Sequence, residues 1–441
     1  MASTRLEKTF TASNRKTFTI STWIKRSGLT ANHCIYGAGT NDSTDRDYLA
    51  FLADSGEEDK LYFNAKVSSS VVAEFYTNRR FRDVGAFYHI VLAFDTTQAT
   101  DTNRMKLYVN GEQQTFQSQT YPSQNQDMNT NNTVHKIGST VGNSYYFDGS
   151  MSHFHFCDGT ALAPTVFGST DSVTGEWKIS TSPSVTYGNN GYFILKDGNS
   201  VTDQSGNSNN FTVGNGTLTN TEDCPSNVFA TLNTLYQQTT GEGVVLMNGN
   251  TRCYYNPDSS RSAFGTIAVG TGKYYYEAEC ETAGTGPVVG VVDLAWGGIN
   301  GAAGAFHDNA LNFGYSSSGV KTSGGVNTAY GDTFTTGDII GVAIDKTNNK
   351  LYFAKNGVWQ NSGDPTSGAT GTGSAFNLAS DTLYTSACRM RNGGDWKFNF
   401  GNGFFGTTQI SSEGTNASGN GKFEYDVPTG YTALSTKGLN E

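Results

Sequence analysis

The stretch Gly337–Gln360, GDIIGVAIDKTNNKLYFAKNGVWQ, decides the fold. Ile340, Val342 and Ile344 recur at every second residue, the period that sends side chains to one face of an extended strand. After a polar turn at Asp345–Lys350, Leu351 and Phe353 resume that period. Asn356-Gly357 then supplies two residues that tolerate positive φ, as a tight hairpin requires, before Val358 and Trp359 continue extended. The reading is an antiparallel meander belonging to a sheet sandwich. Its residues are core apolars and turn formers with no reactive group among them, so function is expected in the loops around it.

Working outward, the 441 residues are too many for one sandwich core, and two domains with separate cores are expected. Charged residues make up only 15%, while 53 Gly, 23 Tyr and 27 Phe favour strands and polar turns over helices. The fold class is therefore all-β, with two antiparallel jelly-roll β-sandwiches in tandem. A net charge of -10 argues against a nucleic-acid partner, which needs clustered Lys and Arg. The compact basic run Arg79-Arg80-Phe81-Arg82 reads as a solvated loop between strands.

No stretch approaches the roughly 18 consecutive apolar residues of a membrane span, so no membrane insertion is expected. The opening MASTRLEKTFTASNRKTF lacks the apolar centre of a secretory signal, which implies synthesis and retention in a cytoplasm. Cys34, Cys157, Cys224, Cys253, Cys280 and Cys388 are widely spaced, without CxxC or a His at ligand spacing. They read as reduced, mostly buried thiols. A lectin-like composition without an export signal fits a virion protein, made in a host cytoplasm and released by lysis.

Along the chain, strands are expected at Phe18 to Arg26 (FTISTWIKR), Tyr48 to Leu52, Lys60 to Ala65, Val71 to Tyr76, Phe87 to Asp95, and in MKLYVNGEQ with its Asn110-Gly111 turn. Val134 to Gly138 and Tyr146 to Cys157 follow. FTISTWIKR, YHIVLAFD, LYVNGE, KIGS and FDGSMSHFHFCDGTAL, in that order, resemble the laminin-G-like, concanavalin A-like jelly roll, giving a first domain over 1–165. Residues 166–226, with FGSTDSVTGEWK and VTDQSGNSNNF, read as a connector too poor in apolar area for a core. The alternative is extra strands along the first sandwich. GKYYYE, VGVVD, GDIIGVAID, LYFAKNG and WKFNFG resemble a SPRY domain, over 227–405, leaving 406–441 as a tail with Phe423, Tyr425 and Tyr431 to pack. The whole arrangement is similar to appendage and fibre proteins of tailed bacteriophages of marine bacteria. That resemblance implies a virion structural role, other virion proteins and possibly host-surface polysaccharide as partners, and a homo-oligomer, a trimer by analogy.

Catalysis finds little support in the residues. Glycosidases need two carboxylates at short spacing, about 5 Å apart for retention. Glu424-Tyr425-Asp426 and the pair Glu277 and Glu279 are the nearest approach, and the latter read as solvated residues on an outer strand face. No GxSxG is present, and no cofactor is expected. His153 and His155 alternate with Phe154 and Phe156, which places both on one sheet face as exposed polar residues or a metal pair. Asp42, Asp45 and Asp47 in NDSTDRD are the calcium candidates, clustered carboxylates in a turn, against a solvated loop. Carbohydrate-active catalysis on the concanavalin A-like fold stays as the alternative to binding.

For binding, the resemblance to SPRY domains directs attention to loops at one end of the sandwich. They hold Trp296, His307, Asp308, Tyr315, Arg389, Arg391, Asp395 and Trp396. Aromatics beside arginines supply stacking and forked hydrogen bonds to a sugar or a protein. For Trp296 and Trp396 the competing assignment is core at a strand end.

Overall fold

The computed structural model describes residues 3–196, 200–237, 243–296 and 305–440. Strands and short 3₁₀ turns account for its regular structure, with no α-helix among the described residues. The chain divides into two compact units, Met1–Asn220 and Thr221–Glu441.

In the first unit, an eight-stranded antiparallel sheet runs in the order Phe116–Thr120, Ser70–Arg80, Lys60–Val67, Asp45–Phe51, His33–Asn41, Val134–Ile137, Arg5–Thr9 and Thr212–Asn215. A six-stranded sheet faces it, ordered Tyr192–Ile194, Gly149–Asp158, Thr17–Arg26, Tyr88–Asp95, Met105–Val109 and Glu112–Gln113. Alternate residues of the two inner faces, among them Phe18, Ile20, Phe63, Phe94, Leu107 and Phe156, fill the core between them. The turn at Asn110-Gly111 has the expected positive φ at both residues, 49° and 83°.

The segment expected to be a connector belongs to this unit. Tyr192–Ile194 pairs with Gly149–Asp158, and Thr212–Asn215 pairs with Arg5–Thr9. Asp203 closes the polar VTDQSGNSNNF loop by accepting from the backbone N–H groups of Phe193, Ser205 and Asn209. Phe167, Tyr187 and Trp177 lie over the outer face of the six-stranded sheet, against Val91, Cys157 and His89. Both faces of Thr17–Arg26 are consequently covered, which accounts for its unbroken run of buried residues. Polar stretches disguised this layer, because a few aromatics do the packing and carry no period.

The second unit is a second sandwich. One sheet runs Leu232–Gln237, Arg261–Val269, Tyr384–Met390, Val288–Asp293, Phe313–Ser316, Val320–Ser323 and Val326–Ala329. The other runs Val245–Met247, Arg252–Tyr255, Gly394–Asn399, Lys273–Thr282, Ile339–Asp345, Lys350–Lys355 and Val358–Trp359. The meander read from the sequence is three of these strands, with Val342 opposite Phe353 and Ile344 opposite Leu351. Asn356 and Gly357 take φ of 48° and 79° at its tight turn.

The tail is part of this sandwich too. Thr432–Ala433 adds in parallel to Lys273–Thr282, and Phe423, Val427 and Tyr431 pack with Tyr275, Ala343 and Tyr352 on the outer face of the second sheet. That layer explains a further difference from expectation. Glu277 is not on a solvated face but fully buried, because the tail crosses its strand there.

Arginines of the basic run likewise do structural work. Arg80 pairs with Glu58 at 2.7 Å and Arg82 with Asp59 at 2.9 Å, while Phe81 between them is buried. The run ends a strand and closes a charge network instead of forming a free loop.

Candidate binding surface

Strand alternation sorts the candidate residues into those that can meet a ligand and those that cannot. On Tyr384–Met390, Cys388 and Met390 point into the core, so Arg389 lies on the outer face with Ala387. Phe264, Val288 and Phe306 share that face, and Trp296 packs on it with its ring 5.9 Å from Phe264, edge-on. The 3₁₀ turn Phe306–Asp308 brings His307 and Asp308 to the same rim, with the Phe306 N–H donating to Ser262 Oγ at 3.3 Å. Trp296, His307, Asp308, Arg389 and Arg391 thus gather on one side of the seven-stranded sheet.

Arg389 is held by three hydrogen bonds. Its Nε and one terminal nitrogen donate to Ser260 Oγ at 2.9 and 2.8 Å, and the other terminal nitrogen donates to Gly286 O. These acceptors are neutral, so the guanidinium is oriented without its charge being cancelled by a contact. Burial, then the neighbouring Arg391, lowers its pKa, while Asp308 opposes that. Arg391 pairs with Asp258 at 2.8 Å, an exposed pair worth little to stability and cheap for a ligand to rearrange. His307 is held neutral at physiological pH, its pKa lowered to about 4 by burial and by Arg389 against Asp308.

Tyr315, Asp395 and Trp396 do not join this surface. Tyr315 is fully buried between Tyr330, Phe334 and Phe353, and its hydroxyl donates to Asp332 O. Trp396 is also fully buried, donating from Nε1 to Arg389 O at 3.1 Å. Asp395 is on the outer face of the opposite sheet, where Arg252 grips it at 2.5 to 3.1 Å. For Trp396 the competing core assignment holds, and the period-two run Trp396, Phe398, Phe400 is the signal that points to it.

The calcium candidates separate as well. Asp47 is buried in its strand and accepts from Asn129 Nδ2, Thr130 N and Thr130 Oγ1. Asp42 accepts from Thr140 Oγ1 and Gly142 N, and Asp45 from Ser68 N. Three carboxylates serving three loops make no shared cage, and no cluster of three metal-binding residues occurs among the described residues. His153 and His155 are also not a pair. A bulge between Ser152 and His155 puts His153 at φ 50°, while His155 stacks on Phe193 at 3.9 Å and meets Tyr187 Oη at 2.8 Å.

Residues 3–167 match the family described as the concanavalin A-like lectin/glucanases superfamily, and residues 273–403 match the SPRY domain. The chain carries a concanavalin A-like domain followed by a SPRY domain. Among curated proteins, the ATP-dependent RNA helicase DDX1 of Xenopus laevis is 29% identical over 139 residues, which are 31% of this chain and 16% of the helicase. The chain therefore matches only a small part of that relative. Among solved structures, the human HERC1 SPRY domain is similar at 16% identity and a TM-score of 0.29, over 38% of this chain and 96% of that one. Stonustoxin is similar at 18% identity and a TM-score of 0.29, over 40% of this chain and 27% of its own.

Two buried chemistry-bearing groups stand out, one a carboxylate that the sequence places on a solvated face and one a pair that it does not single out. In the SPRY domain, the Glu277 carboxylate accepts from the backbone N–H groups of Glu424 and Tyr425, both at 2.9 Å, and from Asn399 Nδ2 at 3.1 Å. Burial pushes its pKa up to about 7 against those donors. In the concanavalin A-like domain, Ser21 Oγ sits 2.9 Å from His89 Nε2. Trp177 Nε1 donates to His89 Nδ1 at 3.0 Å, so Nδ1 is the acceptor and Nε2 carries the proton. His89 therefore donates to Ser21 and cannot deprotonate it, the reverse of a nucleophile–base pair. No local spacing announces either environment, since the partners named lie 68 to 148 positions away.

Proposed function

We propose that this chain is a non-enzymatic virion structural protein, a capsid or tail appendage whose SPRY-domain rim binds a host-surface glycan. The observation that carries the binding reading is Arg389, oriented by Ser260 and Gly286 with its charge still available beside Arg391. Such a guanidinium suits a carboxylate-bearing sugar, and Trp296 offers a ring on the same face of the sheet. The non-enzymatic reading is supported by the reversed Ser21–His89 pair and by Glu277, Glu424 and Asp426 each being spent on backbone or hydroxyl donors. A lectin-like, acidic composition and the order of the two domains support the virion placement and an oligomer, a trimer by analogy.

Titration of an acidic bacterial polysaccharide into the purified chain tests the binding. Arg389→Ala with Arg391→Ala is expected to weaken it at least tenfold, one or two charged contacts being worth about 1.5–3 kcal/mol each. Equal affinity for wild type and the double variant removes the rim from the reading. Mass spectrometry of purified particles tests the placement, which fails if the chain is absent from them. Release of reducing sugar by the wild type would instead favour the carbohydrate-active alternative.

A further inference from the structure

We propose that Cys253 and Cys388 form a redox modification site, a pair of thiols that closes to a disulfide joining the two sheets of the second unit. Cys253 lies on Arg252–Tyr255 and Cys388 on Tyr384–Met390, strands of opposite sheets, and their sulfurs meet at 3.4 Å in the core. Both side chains are fully buried. The two sulfurs are in van der Waals contact and need to approach by roughly 1.4 Å to bond, and no other pair among the six cysteines has a sulfur–sulfur contact among the described residues.

Access explains why the pair would be conditional. Burial raises the pKa of Cys253, and a thiol, unlike a thiolate, does not attack a disulfide. The oxidant therefore acts when the edge opens. Val245–Met247 and Arg252–Tyr255 form a hairpin at the edge of their sheet, with three register pairs between its strands and four from the inner one, which carries Cys253, to Gly394–Asn399. Local opening of such an edge takes less free energy than global unfolding. With glutathione disulfide as oxidant, the Cys253 thiolate attacks one of its sulfurs and releases one glutathione. The Cys388 thiolate then attacks the Cys253 sulfur of the mixed disulfide and releases the second. Two protein thiols lose two protons and two electrons, and one glutathione disulfide becomes two glutathiones.

The new bond closes a loop between positions 135 apart, a long cross-link that restricts the unfolded chain strongly. The inference is independent of the ligand-binding reading. Its test is equilibration of the full chain in a glutathione redox buffer, followed by denaturation in an alkylating reagent and intact-mass measurement. The expected result is two fewer alkylated cysteines, a non-reduced peptide linking Cys253 to Cys388, and a melting temperature of the second unit raised by several degrees. Cys253→Ser and Cys388→Ser are each expected to abolish the linked peptide, while Cys280→Ser leaves it. Alkylation of all six cysteines after equilibration in mild urea, which opens the edge, overturns the inference. A linkage through any other cysteine does the same.

Discussion

Glu277→Ala is expected to destabilise the second unit by about 3 kcal/mol at pH 5 and by much less at pH 8, read from hydrogen exchange in Lys273–Thr282. The carboxylate is the only acceptor tying Glu424 N and Tyr425 N to the sheet in the described structure, and its removal leaves buried donors at the foot of the tail. Two terms oppose each other. The donors favour the ionised form, and burial disfavours it more, which is why the pKa stands at about 7. A carboxyl whose folded pKa exceeds its unfolded value, about 4.3, binds more protons folded than unfolded between those limits. Its contribution is therefore fully present below the lower value and is lost as pH rises through 7. At roughly 1.4 kcal/mol per pH unit, the window spans about 3 kcal/mol. Glu277→Gln mimics the protonated acid, so it should flatten this pH dependence with a smaller loss of stability. If wild type and Glu277→Gln show the same pH slope between 4.5 and 7, Glu277 is not the titrating group.

The first unit should respond to acid in the opposite direction. His89 and His135 are lowered to about 3, and His155 well below its ordinary value, in each case chiefly by burial. An unfolded His takes up a proton near 6.5 while these do not, so each removes stability as pH falls below that value. Acid between pH 6.5 and 5 thus costs the first unit stability through these histidines, and in the second unit His307, lowered to about 4 by burial, opposes the gain from Glu277.

How far the fold was legible follows from the range of the interactions that make it. Asn110-Gly111 and Asn356-Gly357 fix their hairpins through local backbone preference, and the strands around them keep a period of two. Those signals need no knowledge of distant residues. The covering layers do need it. Trp177 sits in FGSTDSVTGEWK among turn formers, and its contact with His89 spans 88 positions. Phe423 and Tyr431 likewise stand alone in polar sequence, yet both are buried against a sheet whose outer face looked solvated. At the candidate surface, the resemblance singles out Arg389 as a loop residue, whereas it stands inside the strand Tyr384–Met390. Tyr315 was misplaced although Phe313 and Tyr315 keep that period, and the alternation was the better guide.

Asp59→Asn is expected to cost the first unit about 3–5 kcal/mol, the usual effect of stripping the partner from a buried charge. Arg26 and Asp59 have fully buried side chains 3.0 Å apart. Asp59 also accepts from Thr30 N at 2.9 Å and Arg82 Nε at 2.9 Å, and these with Arg26 hold its pKa down although burial acts upward. Arg26 donates to Phe81 O at 2.5 Å and lies 4.1 Å above the Phe51 ring. Burial lowers its pKa, and the Asp59 charge is what offsets that. Asparagine keeps the shape and suits the φ of 63° at this position, so strain does not confuse the comparison. It removes the charge and turns one of the two acceptor oxygens, the one that takes Arg82 Nε or the one that takes Arg26 and Thr30 N, into a donor. What remains is a buried guanidinium facing a neutral amide oxygen, a carbonyl and a ring with no counter-charge in contact, and relaxation toward water would open the end of the sheet at Thr17–Arg26. Arg26→Met in the Asp59→Asn background should recover part of the loss, because it removes the orphaned charge and fills the space above Phe51. Chemical denaturation of the three proteins decides it: a loss below 1 kcal/mol for Asp59→Asn, or no recovery in the double variant, would show that the pair is solvated and incidental.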